Sequence, residues 1–357
     1  MKRRKMTAAG MLLGLLSLGA YAQTSVTLYG VADVGIEYLS NVPSSSGGTN
    51  QVRMSAGNMS TSRWGLRGTE DLGGGLKAVF ELESGFALDT AQSSSAGRLF
   101  DRGALVGLSS PYGQLTLGRQ TTVLYDTAIQ FDPMGFAPRY SLFKSDDTIA
   151  GRADNSVKYK GTFGGVTAMA LYSFGRTGGG EVPGEPKVDR EMSAGLVYST
   201  GPLSLGALYD EYQGSTVASQ GQKDRRALVG ISYGIGPAKL YAGYRWLNGN
   251  ISSAVSAMRS NLYWAGLRYQ LTSALSLTGA AYYTDVRGSG ADPLMFVAST
   301  DYAFSKRTDM YFNVGYVRNK GGSQLGLNGF NASSGAPVNV VPGDNQTGVV
   351  LGLRHKF

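Results

Sequence analysis

Apolar and polar side chains alternate with a period of two through most of the chain. That is the signature of strands with one face toward an apolar medium and the other toward water. In Val26-Thr-Leu-Tyr-Gly-Val-Ala-Asp-Val-Gly-Ile-Glu-Tyr38, one face takes Val26, Leu28, Val34, Ile36 and Tyr38. The other takes Thr27, Tyr29, Asp33 and Glu37. Comparable runs cover residues 51–69, 75–89, 99–109 and 114–120, and after a long break 153–161, 166–175, 190–200, 203–213 and 224–234. Six more cover 238–247, 258–270, 274–287, 294–303, 309–319 and 346–357, so about sixteen strands are predicted.

The connections carry more information than the strands. Short ones (71–74, 110–113, 162–165, 201–202, 235–237, 271–273, 304–308) alternate with long ones (39–50, 90–98, 121–152, 176–189, 214–223, 248–257, 288–293, 320–345). A soluble sandwich has no reason to keep its long loops at one end, whereas a transmembrane barrel does, with short periplasmic turns and long external loops. Closure is then compulsory, because a lipid-exposed strand edge would leave backbone groups unpaired. The expected fold is all-β, a transmembrane antiparallel β-barrel of about sixteen strands, too wide for side chains to fill.

Composition agrees. The chain has 52 glycines, 21 tyrosines, 11 prolines and no cysteine, which suits many twisted strands and leaves no disulfide or thiol chemistry. Glycine at that level does not suit helices, where each costs about 1 kcal/mol against alanine. Composition alone would also allow a secreted sandwich or propeller. Beyond the first residues no stretch of roughly 18 apolar residues offers a membrane helix. At the start, Lys2, Arg3, Arg4 and Lys5 precede the apolar stretch 11–19 and the small-x-small sequence Ala20-Tyr21-Ala22. This reads as a cleaved secretory leader over residues 1–22, followed by a single barrel domain over 23–357. Without the leader's four cations, 29 basic residues face 25 acidic ones, too mild an excess to indicate a nucleic-acid partner.

The connection 121–152 stands out. It holds Tyr125, Asp126, Phe131, Asp132, Pro133, Phe136, Pro138, Arg139 and Tyr140, unlike the Ser/Gly-rich tips near 44–48 and 93–95. Structureless loops of that size are usually functional. An apolar loop is poorly placed on an exposed rim, so it is expected to fold into the lumen.

Strand parity puts Arg63 and Arg67 on one face, and Lys77, Glu81 and Glu83 on the polar face of the next strand. Arg102 opens a strand and Arg152 stands where the long loop returns. A charge facing lipid at mid-depth costs about 2–4 kcal/mol, so these groups should face water. They either form a basic wall opposite loop carboxylates, setting a transverse field across the opening, or merely pair within the wall. Parity alone leaves both readings open.

Several segments resemble the general, non-specific porins of Gram-negative bacteria, nearest the β-proteobacterial type. They are Ser62-Arg-Trp-Gly-Leu-Arg-Gly-Thr-Glu-Asp-Leu-Gly-Gly-Gly-Leu-Lys-Ala-Val-Phe-Glu-Leu-Glu-Ser-Gly-Phe86, Gly113-Gln-Leu-Thr-Leu-Gly-Arg-Gln120, Ala153-Asp-Asn-Ser-Val-Lys-Tyr159, Tyr302-Ala-Phe-Ser-Lys-Arg-Thr308 and Gly352-Leu-Arg-His-Lys-Phe357. The resemblance implies a homotrimer of sixteen-stranded barrels in the outer membrane, each pore narrowed by its third external loop and passing ions and small hydrophilic solutes. It implies contact with outer-membrane lipid and lipopolysaccharide; no cofactor is expected, and no metal-ligating residues are singled out. It puts Arg63, Arg102 and Arg152 on the family's basic cluster, with Arg67 and Lys77 adding charge. Asp126 and Asp132 fall on acidic positions of the constriction loop, and Arg119 on the strand entering it. Enteric members carry a further carboxylate beyond Asp132, where this chain has Gly135 and Phe136. That leans the opening toward anions, although Asp33, Glu37 and Glu81 oppose it. The terminal Phe357 matches the aromatic read by the barrel-assembly machinery.

Two other functions fit the same barrel. A solute-specific channel would need dedicated binding residues, and the sequence leaves it open. A barrel enzyme would need a positioned base, most often histidine. The sole histidine, His355, lies two residues from the end on the expected lipid face; Gly230-Ile-Ser-Tyr-Gly234 spells G-x-S-x-G but inside the alternating run 224–234 rather than at a strand-to-helix elbow, and no P-loop is present.

Overall fold

The alternation is realised as one closed sheet in a computed structural model that describes residues 25–179, 181–251, 259–327 and 340–357. The leader expected at 1–22 lies outside the described residues. The strands are β1 (Ser25–Ser44), β2 (Gly47–Ala56), β3 (Arg63–Gly73), β4 (Leu76–Gly85), β5 (Gly103–Ser110), β6 (Gly113–Thr121), β7 (Arg152–Phe163), β8 (Val166–Ser173) and β9 (Glu191–Thr200). There follow β10 (Leu203–Gln213), β11 (Lys223–Ile235), β12 (Ala238–Gly249), β13 (Arg259–Gln270), β14 (Leu275–Val286), β15 (Leu294–Ala303), β16 (Thr308–Arg318) and β17 (Gln346–Lys356). Each pairs antiparallel with its neighbours, and β1 pairs with β17 to close the ring. Seventeen segments make sixteen staves, because β2 and β3 both pair with β1, end to end.

The run 51–69 is therefore not the single strand its alternation predicts. It breaks at 57–62, where Gly57 takes a positive φ of 68° and the Asp33 carboxylate captures the amides of Asn58, Met59 and Ser60. The connection expected at 39–50 is mostly strand as well. β1 and β2 stay paired out to Ser44 and Gly47, past an irregularity between Leu39 and Val42.

The two faces have the expected opposite characters. On β1, Val26, Leu28 and Ile36 are 58 %, 59 % and 62 % exposed, while Asp33 and Glu37 are fully buried. The same inversion holds on β17, where Leu351 and Leu353 point outward and Arg354 pairs inside with Asp309 and Asp301. A continuous apolar outer face this large would be a liability in water and is what lipid requires. Tyr198, Tyr269 and Tyr316 lie exposed on this face, as membrane-interface aromatics should. Tyr241 does not join them, because the register turns it inward and buries it.

The last residue completes the seam. The Gly30 amide donates to the Phe357 carbonyl at 3.0 Å and the Phe357 amide to the Gly30 carbonyl at 3.1 Å. The phenyl ring lies over Gly30, where any side chain would collide with it.

Candidate functional site

The connection between β6 and β7 is built from short helical turns. α1 (Val123–Ala128) starts at a capping Thr122, whose hydroxyl accepts the Tyr125 amide, and a 3-10 turn (Ile129–Phe131) follows. α2 (Leu142–Ser145) starts at a capping Ser141, and Asp146 caps a second 3-10 turn (Asp147–Ala150). The apolar residues of this segment are its anchors. Val123, Leu124, Phe131, Tyr140, Leu142 and Ile149 are fully or almost fully buried, in one cluster with Leu171, Leu208, Leu228, Leu262 and Tyr282. Those partners stand on five strands, on the face opposite the exposed apolar one.

Polar tethers spread the contacts further. Trp264 Nε1 donates to the Phe131 carbonyl at 2.8 Å, and Arg268 to the Pro133 carbonyl at 3.2 Å. Arg139 pairs with Glu37 of β1 at 2.9 Å with both side chains fully buried. Asp146 receives Arg226 of β11 at 3.0 Å and Arg245 of β12 at 3.1 Å. One segment can reach so many staves of a closed ring, always on the inward face, only by lying across the lumen.

The charged wall lies on the side of the ring left open. β3 and β4 pair with Gly65 opposite Glu83 and Arg67 opposite Glu81, so parity brings these groups to one inner face. Glu83 accepts Arg102 at 2.7 Å and faces Arg63 at 3.2 Å, and it also takes the Tyr29 hydroxyl at 3.1 Å. Arg152 donates to the Arg102 carbonyl at 2.7 Å, and its guanidinium stands 5.8 Å from the centre of the Tyr125 ring. Across from them, Asp126 of the loop pairs with Lys158 of β7 at 3.0 Å and accepts the Thr121 hydroxyl. Arg63, Glu83, Arg102, Arg152 and the Asp126–Lys158 pair help to line a recess of about 330 Å³ whose charged groups are five cations (with Lys160) and three carboxylates (with Glu81).

The structure thus brings together Arg63, Arg102, Arg152 and Asp126. It separates the others. Asp132 is no constriction charge: it is buried under the loop, accepting the Tyr282 hydroxyl at 2.6 Å and the Phe136 amide at 2.7 Å. Burial pushes its carboxyl above the ordinary value, and those two donors pull it part of the way back. Arg67 stacks on the Tyr29 ring at 5.0 Å rather than lining the recess. Lys77 stands opposite Asp71, beside the tight turn that joins β3 to β4, far down the wall. Arg119 is bound to the Asp101 carbonyl and to Asp154, bracing the strand that enters the loop.

Sequence reasoning passed over Tyr29, Glu83 and Lys158 as functional groups, although parity had placed Tyr29 and Glu83 on inward faces. What it lacked was a signal for their partners, which come from register and from the returning loop.

Comparison with known proteins agrees with this geometry. A family model described as Gram-negative porin matches residues 7–322. An outer membrane porin protein of Bordetella pertussis is 32% identical over 365 aligned positions, covering 89% of this chain and 94% of that one. Outer membrane porin protein 32 of Delftia acidovorans is 32% identical over 356 positions, 95% of each chain. Among solved structures, an anion-selective porin from Comamonas acidovorans superposes with a TM-score of 0.80 at 27% identity, covering 94% of this chain and all of that one. A closed barrel with an apolar exterior, a charged lumen crossed by one anchored loop, and these relatives together establish that the chain belongs to the Gram-negative porin family and to the outer membrane.

Proposed function

We propose that this porin is a passive channel for ions and small hydrophilic solutes whose narrowest passage mildly favours anions. The observation that carries the preference is the excess of five cations over three carboxylates around the recess beside the loop. Charged rings at a narrow, partly dehydrated passage set ion preference by adding to or subtracting from the local potential. The anion-selective porin of Comamonas acidovorans, which this chain resembles, is consistent with that sign.

Replacing Arg63, Arg102 and Arg152 together with glutamine would leave two cations against three carboxylates. The reversal potential across a salt gradient in planar bilayers is then expected to change sign toward cations. An unchanged value would remove these residues from the selectivity role.

We read the protein as a channel without catalytic activity. Its sole histidine shares a hydrogen bond with the Thr308 hydroxyl at 2.9 Å near the chain's end, and no ion pair orients it among the described residues. The exposed aliphatic side chains Val52, Met54 and Val106 on β2 and β5 fit a homotrimer contact, and outer-membrane lipid with lipopolysaccharide would cover the rest. The leader over 1–22 supplies export.

Phe357 fits the role of an assembly signal, since its backbone and ring both complete the β1–β17 seam. Deleting it is expected to lower the amount of heat-modifiable, folded protein in the outer membrane. Phe357→Ala, which keeps the two backbone bonds, separates recognition of the ring from closure of the seam. Normal yields for both variants would argue against either role.

A further inference from the structure

The break between β2 and β3 does more than interrupt a strand. Six residues, 57–62, stand against only Ala32 and Asp33 on β1, because the pairing leaves off at Ala56 opposite Val34 and resumes at Arg63 opposite Val31. The surplus chain folds inward. The Asn58 amide donates to Asp33 Oδ1 at 3.2 Å, and the Met59 and Ser60 amides to Oδ2 at 3.0 and 2.7 Å. The Tyr311 hydroxyl of β16 donates to the same carboxylate and accepts from Asn58 Nδ2 at 3.0 Å. From β17, Arg354 reaches Ser60 Oγ at 2.9 Å. Met59 lies in the same buried cluster as Tyr140 of the loop, Leu39 and Val350. Asp33, Asn58 and Ser62 are fully buried.

This shoulder fills the lumen over β1, β16 and β17. The anchored loop fills it against β8 to β14, and its Arg139 reaches the edge of the shoulder, pairing with Glu37 of β1 and donating to the Ala56 carbonyl at 3.4 Å. A recess stays open against β3 to β7, lined by Arg63, Arg102, Arg152 and Lys158. We propose that Asp33 is a specificity-determining positioning residue: by pinning the 57–62 shoulder against the loop, it closes the far side of the lumen and forces solutes past the basic wall.

Alanine at position 33 cannot accept the three amides, so the shoulder loses its fixed shape. The full-length Asp33→Ala protein, checked for a folded barrel by heat-modifiable mobility, is to be recorded in planar bilayers. The expected result is a larger single-channel conductance together with a reversal potential shifted toward zero, as a second path opens away from the arginines. A purely structural role would lower heat stability and leave the reversal potential alone.

If Asp33→Ala does not fold, Asn58→Gly combined with Met59→Gly keeps the carboxylate and its amides while stripping the shoulder's side chains, and the same two shifts are expected. Unchanged or lower conductance in the folded protein overturns the proposal. The selectivity half rests on the anion reading above. A wild-type channel with no reversal potential would sink that reading, and the conductance arm would then decide the shoulder by itself.

Discussion

Asp146→Ala is expected to release the lumen loop from β11 and β12 while the barrel itself still assembles. Asp146 sits between two arginines whose side chains are 4% and 1% exposed, so removing it takes the ion-pair partner from both buried cations at once. Truncating one partner of a buried pair typically costs about 3–5 kcal/mol, because the remaining charge stays desolvated. That loss falls on the loop rather than on the sheet, whose hydrogen-bond ladder is untouched. Single channels should then show frequent steps between conductance levels where the wild type is steady. A quiet recording at wild-type conductance would show that the tether is redundant.

The same contact has a pH signature. Burial alone would raise the Asp146 carboxyl, but the guanidinium groups of Arg226 and Arg245 outweigh it and hold the carboxyl below its ordinary value. A depressed folded pKa means the contribution is fully present above the unfolded value of about 3.9. It is lost only as pH falls through the lower, folded value. Loop noise in the wild type should therefore appear only in strong acid, while Asp146→Ala should be noisy at neutral pH.

The second large effect is expected at Phe131. Its side chain is fully buried, lying over Gly206 of β10 and Gly230 of β11, and its carbonyl takes the Trp264 indole. Phe131→Ala should cost about 3–5 kcal/mol through lost transfer energy and an unfilled cavity. Each 1.4 kcal/mol is about tenfold in the population of the opened loop. The complementary change, Gly206→Val, puts a side chain where the ring now lies and should expel it with a comparable result. Protease accessibility of the loop in folded, detergent-solubilised protein measures both. Resistance equal to wild type in the two variants would show that Phe131 does not anchor the loop.

Much of this architecture could be read from residue order. On β1, the opposition of Leu28 and Ile36 to Asp33 and Glu37 is a period-two statement, and each residue lies on the predicted side. Strands such as Leu203–Gln213 and Leu294–Ala303 end where their alternation ends. The apolar character of 121–152 was itself the reason to place that loop inside, and its phenylalanine, tyrosine and leucines are the residues that hold it there. The site was legible only in part. Arg63, Arg102, Arg152 and Asp126 meet, but Asp132 is an anchor under Tyr282 and Lys77 stands beside a turn. The alternation through 51–69 also concealed a break: Gly57-Asn-Met-Ser-Thr-Ser62 is rich in turn-forming residues, but the carboxylate that fixes it, Asp33, lies 25 or more residues earlier in the chain.

From residue order alone came the two faces, the count of staves, the need for closure and the position of the odd loop. All are local or nearly local: a side chain's face depends on its parity, and closure follows from the requirement that every backbone group in lipid be paired. Which charges meet was decided by the tertiary structure. Glu83 finds Arg102 through strand register, Asp132 finds Tyr282 across 150 residues, and Arg139 finds Glu37 across 102. Such pairs exist because a closed ring brings every stave within reach of one loop in its lumen, and no pattern with a period of two can encode which stave that will be.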